Sequence, residues 1–211
     1  MKELDGRAPL EALLDVSSHP IYPKFDFLGR RMAITAADYL TRCLQDDLIK
    51  LSEIKSIVEF GTGDGTGTLA TTRLAEVARA RVIALERSDE AKEIIDFGIL
   101  PAQQVKIEDG IASLDAMRES GETCDLLAGF LFSLGKSRKG KLIHRLIPAA
   151  RGVLSPHGKM LLTSDNKTIN AVEKVFQMEG IDYNRITAGR GHFYIGFPHS
   201  GLVTSLKQKP T

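Results

Sequence analysis

An apolar run, Ser56–Phe60, ends in Gly61, Gly63, Gly65 and Gly67 and passes at once into a helix-like segment, the whole reading SIVEFGTGDGTGTLATTRLA. A strand that bends through glycines straight into a helix is the opening of a βαβ unit. The alternation continues along the chain. Further β-branched or apolar runs fall at Arg81–Leu85, Gln104–Ile107, Asp125–Phe130 and Lys159–Thr163. Between them lie helical patterns near Thr68–Ala78, Ser88–Phe97, Leu114–Glu119 and Lys139–Leu154. Parallel neighbours need crossover connections, and helices that make them cover both faces of the sheet, so the expectation is an α/β, doubly wound, mostly parallel sheet. A chain of 211 residues with 43% apolar side chains can bury one full core of this kind more readily than two small ones.

The flanks read differently. Apolar residues from Met32 through Leu40, Leu44 and Leu48 to Leu51 recur at helical spacing, which predicts a long helix over Leu28–Leu51. Before it, LEALLDV suits a short helix, whereas Pro20 and Pro23 break HPIYPKFDF. Residues 1–54 therefore read as an N-terminal helical cover and 55–198 as the α/β domain. After a helix at Ile169–Glu179, DYNRITAG and HFYIGFP read as two strands joined at AGRG in an antiparallel hairpin. Residues 199–211 read as a polar, loosely held tail. A net charge of +1 gives no global field for nucleic acid or an anionic membrane. The acidic start is unlike a signal peptide, and charges interrupt every apolar run before it reaches membrane-spanning length. Cys43 and Cys124, far apart in sequence, read as buried free thiols. The expectation is a cytoplasmic protein with neither membrane nor nucleic-acid partner, and a homodimer is left open.

The glycine turn has a chemical reading. It aims unpaired backbone N–H groups and the positive end of a helix at one spot, where a ligand can approach the main chain closely. Phosphates, dinucleotides and adenosyl sulfonium cofactors all exploit such a turn. GTGDGTGT lacks the lysine that a P-loop needs to reach a β- or γ-phosphate. The dinucleotide pattern G-x-G-x-x-G/A is met only by GTGTLA, Gly65–Ala70, which begins too far from the end of the strand. Glu59, inside the apolar run, would repel a pyrophosphate and attract a cation. The turn fits a positively charged cofactor.

With these residues the chain resembles the class I S-adenosylmethionine-dependent methyltransferases, over roughly Lys55 to Pro198. VEFGTGDG, Val58–Gly65, is similar to their first motif, an acid and an apolar residue followed by G-x-G-x-G. The resemblance implies that Glu59, Gly61, Thr62, Gly63, Asp64 and Gly65 hold the methionine end of S-adenosylmethionine. It also implies that Glu86, closing the next strand, accepts hydrogen bonds from the ribose hydroxyls. Asp109, with Ile107 and Ile111 as flanks, would take the adenine amino group, and Phe130 would face the cofactor. Asp125 is read as structural. The family fold implied is a Rossmann-like seven-stranded sheet ending in an antiparallel hairpin.

The acceptor side is thinner. AGFLFSLGK after the fourth strand carries no Asp, His or Asn-Pro pair, which disfavours amino-methylation of DNA bases, and no acid cluster there suits a metal. Tyr22 and His192 lead as catalytic candidates, ahead of His19, His144 and Tyr194, because the N-terminal segment and the final hairpin border the pocket in this fold. His144, within KLIHRLI, reads as a packed residue. The resemblance implies a transferase, by default a methyltransferase with a small-molecule substrate. Aminocarboxypropyl transfer, or cyclisation releasing methylthioadenosine, is the alternative enzyme. A non-catalytic cofactor-binding module is the alternative from another class, and a nicotinamide oxidoreductase the third.

Overall fold

The computed structural model describes residues 10–130, 139–187 and 199–206. Its strands are β1 (Ser56–Phe60), β2 (Arg81–Glu86), β3 (Val105–Ile107), β4 (Cys124–Gly129), β5 (Leu154–Asp165), β6 (Asn184–Ile186) and β7 (His199–Thr204). They form a 7-stranded sheet in the order β3-β2-β1-β4-β5-β7-β6. The pairs β1–β2, β1–β4, β2–β3 and β4–β5 are parallel, while β7 runs antiparallel to both β5 and β6. Helices are α1 (Leu10–Leu13), α2 (Phe27–Gln45), α3 (Thr66–Ala78), α4 (Ala91–Asp96), α5 (Gly110–Ser120), α6 (Lys139–Val153) and α7 (Asn166–Met178).

The alternation of side chains along each strand sorts the core into two layers. On one face Ile57, Val82, Ala84, Leu126, Ala128 and Leu161 pack with α2, α3 and α4. On the other, Val58, Ile83, Leu85, Leu127, Met160 and Leu162 pack with α5, α6 and α7. The N-terminal segment belongs to the first layer: Leu14, Val16, Ala33, Ala36, Leu40 and Ile49 join the same buried cluster as β1. A Cβ on Gly29 would stand 3.0 Å from the Thr66 methyl, so this glycine lets α2 lie close over the start of α3.

Three elements depart from the sequence reading. The helix predicted to reach Leu51 stops at Gln45, because Asp46 and Asp47 follow and Asp47 takes a left-handed φ of 53°. Acids oppose the negative end of a helix. The predicted tail is part of the sheet: His199–Thr204 lies between β5 and β6, with Leu202 and Val203 buried. In sequence its short alternating pattern is outweighed by its polar residues, yet Ser200 and Thr204 are satisfied by Asn166 Oδ1 and the Asp182 carbonyl at 2.6 Å each. The first predicted hairpin run contains β6, while the second, HFYIGFP, and the joining AGRG from Ala188 onward lie outside the described residues. Finally, β5 begins earlier than expected. It takes in Pro156 and Gly158 at a register shift opposite Cys124–Leu126, the kind of irregularity where a strand tolerates proline.

Asp125 fastens the bottom of the sheet. Its Oδ2 accepts from the Lys55 and Ser56 backbone N–H groups at 2.8 and 3.1 Å, and its Oδ1 from Ser155 Oγ at 2.6 Å. Cys43 and Cys124 are buried free thiols, and burial pushes both up to about 12.

Candidate functional site

The carboxyl ends of β1 to β4 open into a cleft of about 560 Å³. At its centre the strand-to-helix turn takes left-handed φ at Gly61, Gly63 and Gly65 (66°, 54° and 88°). The bend is closed by Gly61 N–H donating to the Leu85 carbonyl at 2.9 Å and Gly65 N–H to the Thr62 carbonyl at 3.0 Å. Asp64 Oδ1 accepts from Thr66 N–H at 3.1 Å, so this acid satisfies one free donor of the first turn of α3.

Glu59 sits at the floor, 1% exposed, and still lines the cleft. Its carboxyl accepts from Thr71 Oγ1 at 2.5 Å and from Thr68 Oγ1 at 3.3 Å. Burial pushes it up from 4.5 to about 7, and the two threonine hydroxyls pull only partly the other way. Gly67 makes room for it: a Cβ there would stand 3.0 Å from Glu59 Oε1 and 3.2 Å from the Phe130 Cβ.

Glu86 closes β2 and ties three backbone donors together. Its Oε2 accepts from Gly63 N–H at 2.8 Å, and its Oε1 from Arg87 and Ser88 N–H at 2.7 and 3.0 Å. With one oxygen used once, the carboxylate keeps acceptor capacity toward the cleft. Asp109 caps α5 through Oδ1, which accepts from Ile111 and Ala112 N–H at 3.1 Å each. Its Oδ2 has no part in the cap.

Of the residues singled out from sequence, Glu59, Gly61, Thr62, Gly63, Asp64, Glu86, Asp109 and Phe130 all line this one cleft. Gly65 does not. Its absent side chain is required by φ and by packing, since a Cβ would stand 2.8 Å from Ile94 and 2.9 Å from Ile99. Ile111 lines the cleft, whereas Ile107 is 43% exposed and does not. Tyr22, in a short 3-10 turn, packs against the N-terminal core and is not among the lining residues; among the described residues of this region, Met32 of α2 lines the cleft. His192 and Tyr194 lie outside the described residues. His144 is not packed: half exposed, it meets Glu179 at 3.2 Å.

Sequence reasoning missed Glu90, Phe60 and Leu146 as lining residues. Glu90 was hidden in the charged run RSDE, which reads as a solvated turn. Phe60 was legible only together with Gly129, over which its ring lies; a Cβ on Gly129 would be 2.6 Å from Phe60 Cζ. Among the described lining residues five are acids (Glu59, Asp64, Glu86, Glu90 and Asp109) and one is a cation, Arg87. No metal-binding group of His, Cys, Asp or Glu occurs among the described residues.

No protein-family model and no curated relative matches the sequence. Solved structures do match the fold. DesVI of Streptomyces venezuelae superposes with a TM-score of 0.58 at 14% identity, covering 88% of this chain and 97% of that one. Aeropyrum pernix fibrillarin, in complex with natively bound S-adenosyl-L-methionine, gives 0.56 at 14% identity, covering 81% and 76%. A SAM-dependent methyltransferase from Agrobacterium tumefaciens gives 0.51 at 12% identity, covering 79% and 60%. With the strand order above, these likenesses show the class I methyltransferase fold.

Proposed function

We propose that this chain is an S-adenosylmethionine-dependent methyltransferase acting on a small molecule, with residues 1–54 covering the cleft of the α/β domain. The observation that carries the reading is the charge of the cleft: Asp64, Glu86, Glu90 and Asp109 against one described arginine around a glycine turn, above the buried Glu59. Such a site opposes a pyrophosphate and favours a ligand with sulfonium and ammonium charges. The residues also fit the cofactor in detail. Thr62 Oγ1 is buried, lines the cleft and has no hydrogen-bond partner, so a polar group at the methionine end would satisfy it. Glu86 would take the ribose hydroxyls with its remaining capacity, Asp109 the adenine amino group, and Ile111 and Leu85 the faces of the ring.

When bound, S-adenosylmethionine supplies a sulfonium-activated methyl group. The described residues contribute position and electrostatics: the turn and the carboxylates orient the cofactor, and Phe130 and Leu146 exclude water beside it. No histidine, tyrosine or lysine occurs among the described lining residues, so proximity carries the transfer there; an acceptor-side role for His192 stays part of the proposal. Fibrillarin of Methanococcus jannaschii, which shares the fold, is a pre-rRNA processing protein, but the acidic lining argues for a small molecule over a polynucleotide here.

Calorimetric titration with S-adenosylmethionine, S-adenosylhomocysteine, NAD(H) and NADP(H) tests the reading. Binding of the first pair alone is expected, and binding of a dinucleotide alone would overturn it. Product analysis then separates the chemistries: S-adenosylhomocysteine marks methyl transfer, and methylthioadenosine marks attack at another carbon.

A further inference from the structure

The helix α4 lies along the glycine turn and brings two side chains to it. A Cβ on Gly65 would stand 2.8 Å from Ile94, and one on Gly63 would stand 3.8 Å from Glu90 Oε2. Glu90, just before α4, already has helical φ and ψ of −57° and −28°. It stands four residues before Ile94, so the fully buried isoleucine fixes the face from which the acid projects. The Glu90 side chain caps nothing, since no N–H of the first turn of α4 donates to it. Its carboxyl is turned over the glycine turn instead, with Ser88 Oγ donating to Oε2 at 3.4 Å. Glu90 is all that a Gly63 Cβ would meet within 4 Å, so the space between turn and carboxylate is open to the cleft that both line. Glu86 arrives at the same residue, accepting from Gly63 N–H. Two carboxylates therefore converge on Gly63.

One of the two is nearly full. An ionised carboxylate offers about four acceptor sites. Glu86 gives Oε1 to the Arg87 and Ser88 N–H groups and half of Oε2 to Gly63 N–H. What remains suits one hydroxyl, whereas a ribose diol brings two. The other acids of the cleft are engaged elsewhere: Glu59 with Thr68 and Thr71, Asp64 with the start of α3, Asp109 with the start of α5. We propose that Glu90 is the second acceptor, taking one ribose hydroxyl while Glu86 takes the other, and that it makes the site selective for adenosyl ligands with a free cis diol. This rests on the cofactor reading above and names the residue that reads the sugar. A phosphate on either hydroxyl would bring like charge against both carboxylates and be refused.

The test is calorimetry on the full chain, as wild type, Glu90→Ala, Glu90→Gln and Asp89→Asn. The ligands are S-adenosylhomocysteine, its 2′-deoxy and 3′-deoxy analogues, and methylthioadenosine. Glu90→Ala should bind S-adenosylhomocysteine and methylthioadenosine about tenfold more weakly, the loss of one hydrogen bond to a charged acceptor. One of the two deoxy analogues should lose nothing further in Glu90→Ala, because the hydroxyl that Glu90 would hold is already gone. Glu90→Gln keeps an acceptor oxygen and should fall between wild type and Glu90→Ala. Asp89, exposed and paired with Lys92 at 3.2 Å, carries the same charge one residue away, so Asp89→Asn should match wild type. The Glu90 side chain is exposed and caps no helix, so thermal midpoints should hold. Unchanged affinity in Glu90→Ala would overturn the inference, as would equal weakening of the parent ligand and both deoxy analogues. A loss confined to S-adenosylhomocysteine, with methylthioadenosine unaffected, would overturn it too, since Glu90 would then answer the ammonium group. An Asp89→Asn defect as large as that of Glu90→Ala would reduce the effect to general charge and sink the proposal. If S-adenosylhomocysteine fails to bind the wild type, the cofactor reading falls and takes the inference with it.

Discussion

Replacing Glu59 by glutamine isolates the electrostatics of the cleft floor. The side chain keeps its shape and an oxygen for a threonine hydroxyl, but it can no longer ionise. In the wild type, burial raises the carboxyl from 4.5 to about 7. The folded protein therefore holds a proton between those values that the unfolded chain has already released. Where the folded state binds more protons, stability falls as pH rises. The loss begins near the unfolded value, is complete a little above 7 and is absent at pH 4. At about 1.4 kcal/mol for each tenfold change in proton affinity, the full effect is ~3 kcal/mol. For a chain of this size that corresponds to about 6–12 °C in the unfolding midpoint. The assay is chemical denaturation of wild type and Glu59→Gln between pH 4.5 and 8, read as the difference at each pH. Other titrating groups are common to both proteins and cancel. Glu59→Gln should gain on the wild type by ~3 kcal/mol across this range. A flat difference would show that the carboxyl is not held neutral by burial. A difference of opposite sign would mean that the fold favours the ionised form.

Glu86→Ala removes the acceptor of three backbone donors and, in the proposed complex, of the ribose hydroxyls; calorimetry should show cofactor affinity weakened by roughly 1.5–3 kcal/mol for each charge-assisted bond lost. Gly129→Ala forces a methyl group against the Phe60 ring, so unfolding should cost about 1–3 kcal/mol less and ligand affinity should drop as the ring tips into the cleft. Asp125 is pushed up by burial, but hydrogen bonds from Ser155, Lys55 and Ser56 outweigh this and hold it low. Its contribution is full above the ordinary carboxylate range and lost as pH falls through the lowered value. Asp125→Asn should therefore cost about 1.5–3 kcal/mol in denaturant unfolding at pH 7, and less in acid. Cys43 and Cys124, buried and poor thiolates, should react with a chromogenic disulfide only as fast as the protein opens, and at once in denaturant.

The parallel half of the fold was legible because its signals are local. Strand periodicity and glycine punctuation need no tertiary information, and Ser56–Phe60 matches β1 residue for residue. The antiparallel edge was less so. β7 is a polar-looking segment whose Ser200 and Thr204 become compatible with burial only after Asn166 and the Asp182 carbonyl arrive from elsewhere in the chain. The same division holds in the cleft. Acids that end strands were readable from position, whereas Met32, Phe60 and Leu146 line it through packing between distant elements.

Glu59 shows how a correct position can carry an incomplete charge. Read from sequence, it is a standing negative charge waiting for a cation. In the fold it turns toward Thr68 and Thr71 and, held up by burial, keeps its proton until about 7. The field that disfavours phosphate near neutral pH is thus set mainly by Asp64, Glu86, Glu90 and Asp109, which stand higher in the cleft and closer to water. A cationic ligand above Glu59 would favour its ionised form and lower its proton affinity. Binding of S-adenosylmethionine below about pH 7 should then release a proton, whereas Glu59→Gln should bind without that release. Calorimetry at pH 6.5 in two buffers of different ionisation enthalpy reads the difference directly. Equal proton release in the two proteins would mean that another group answers the cofactor's charge.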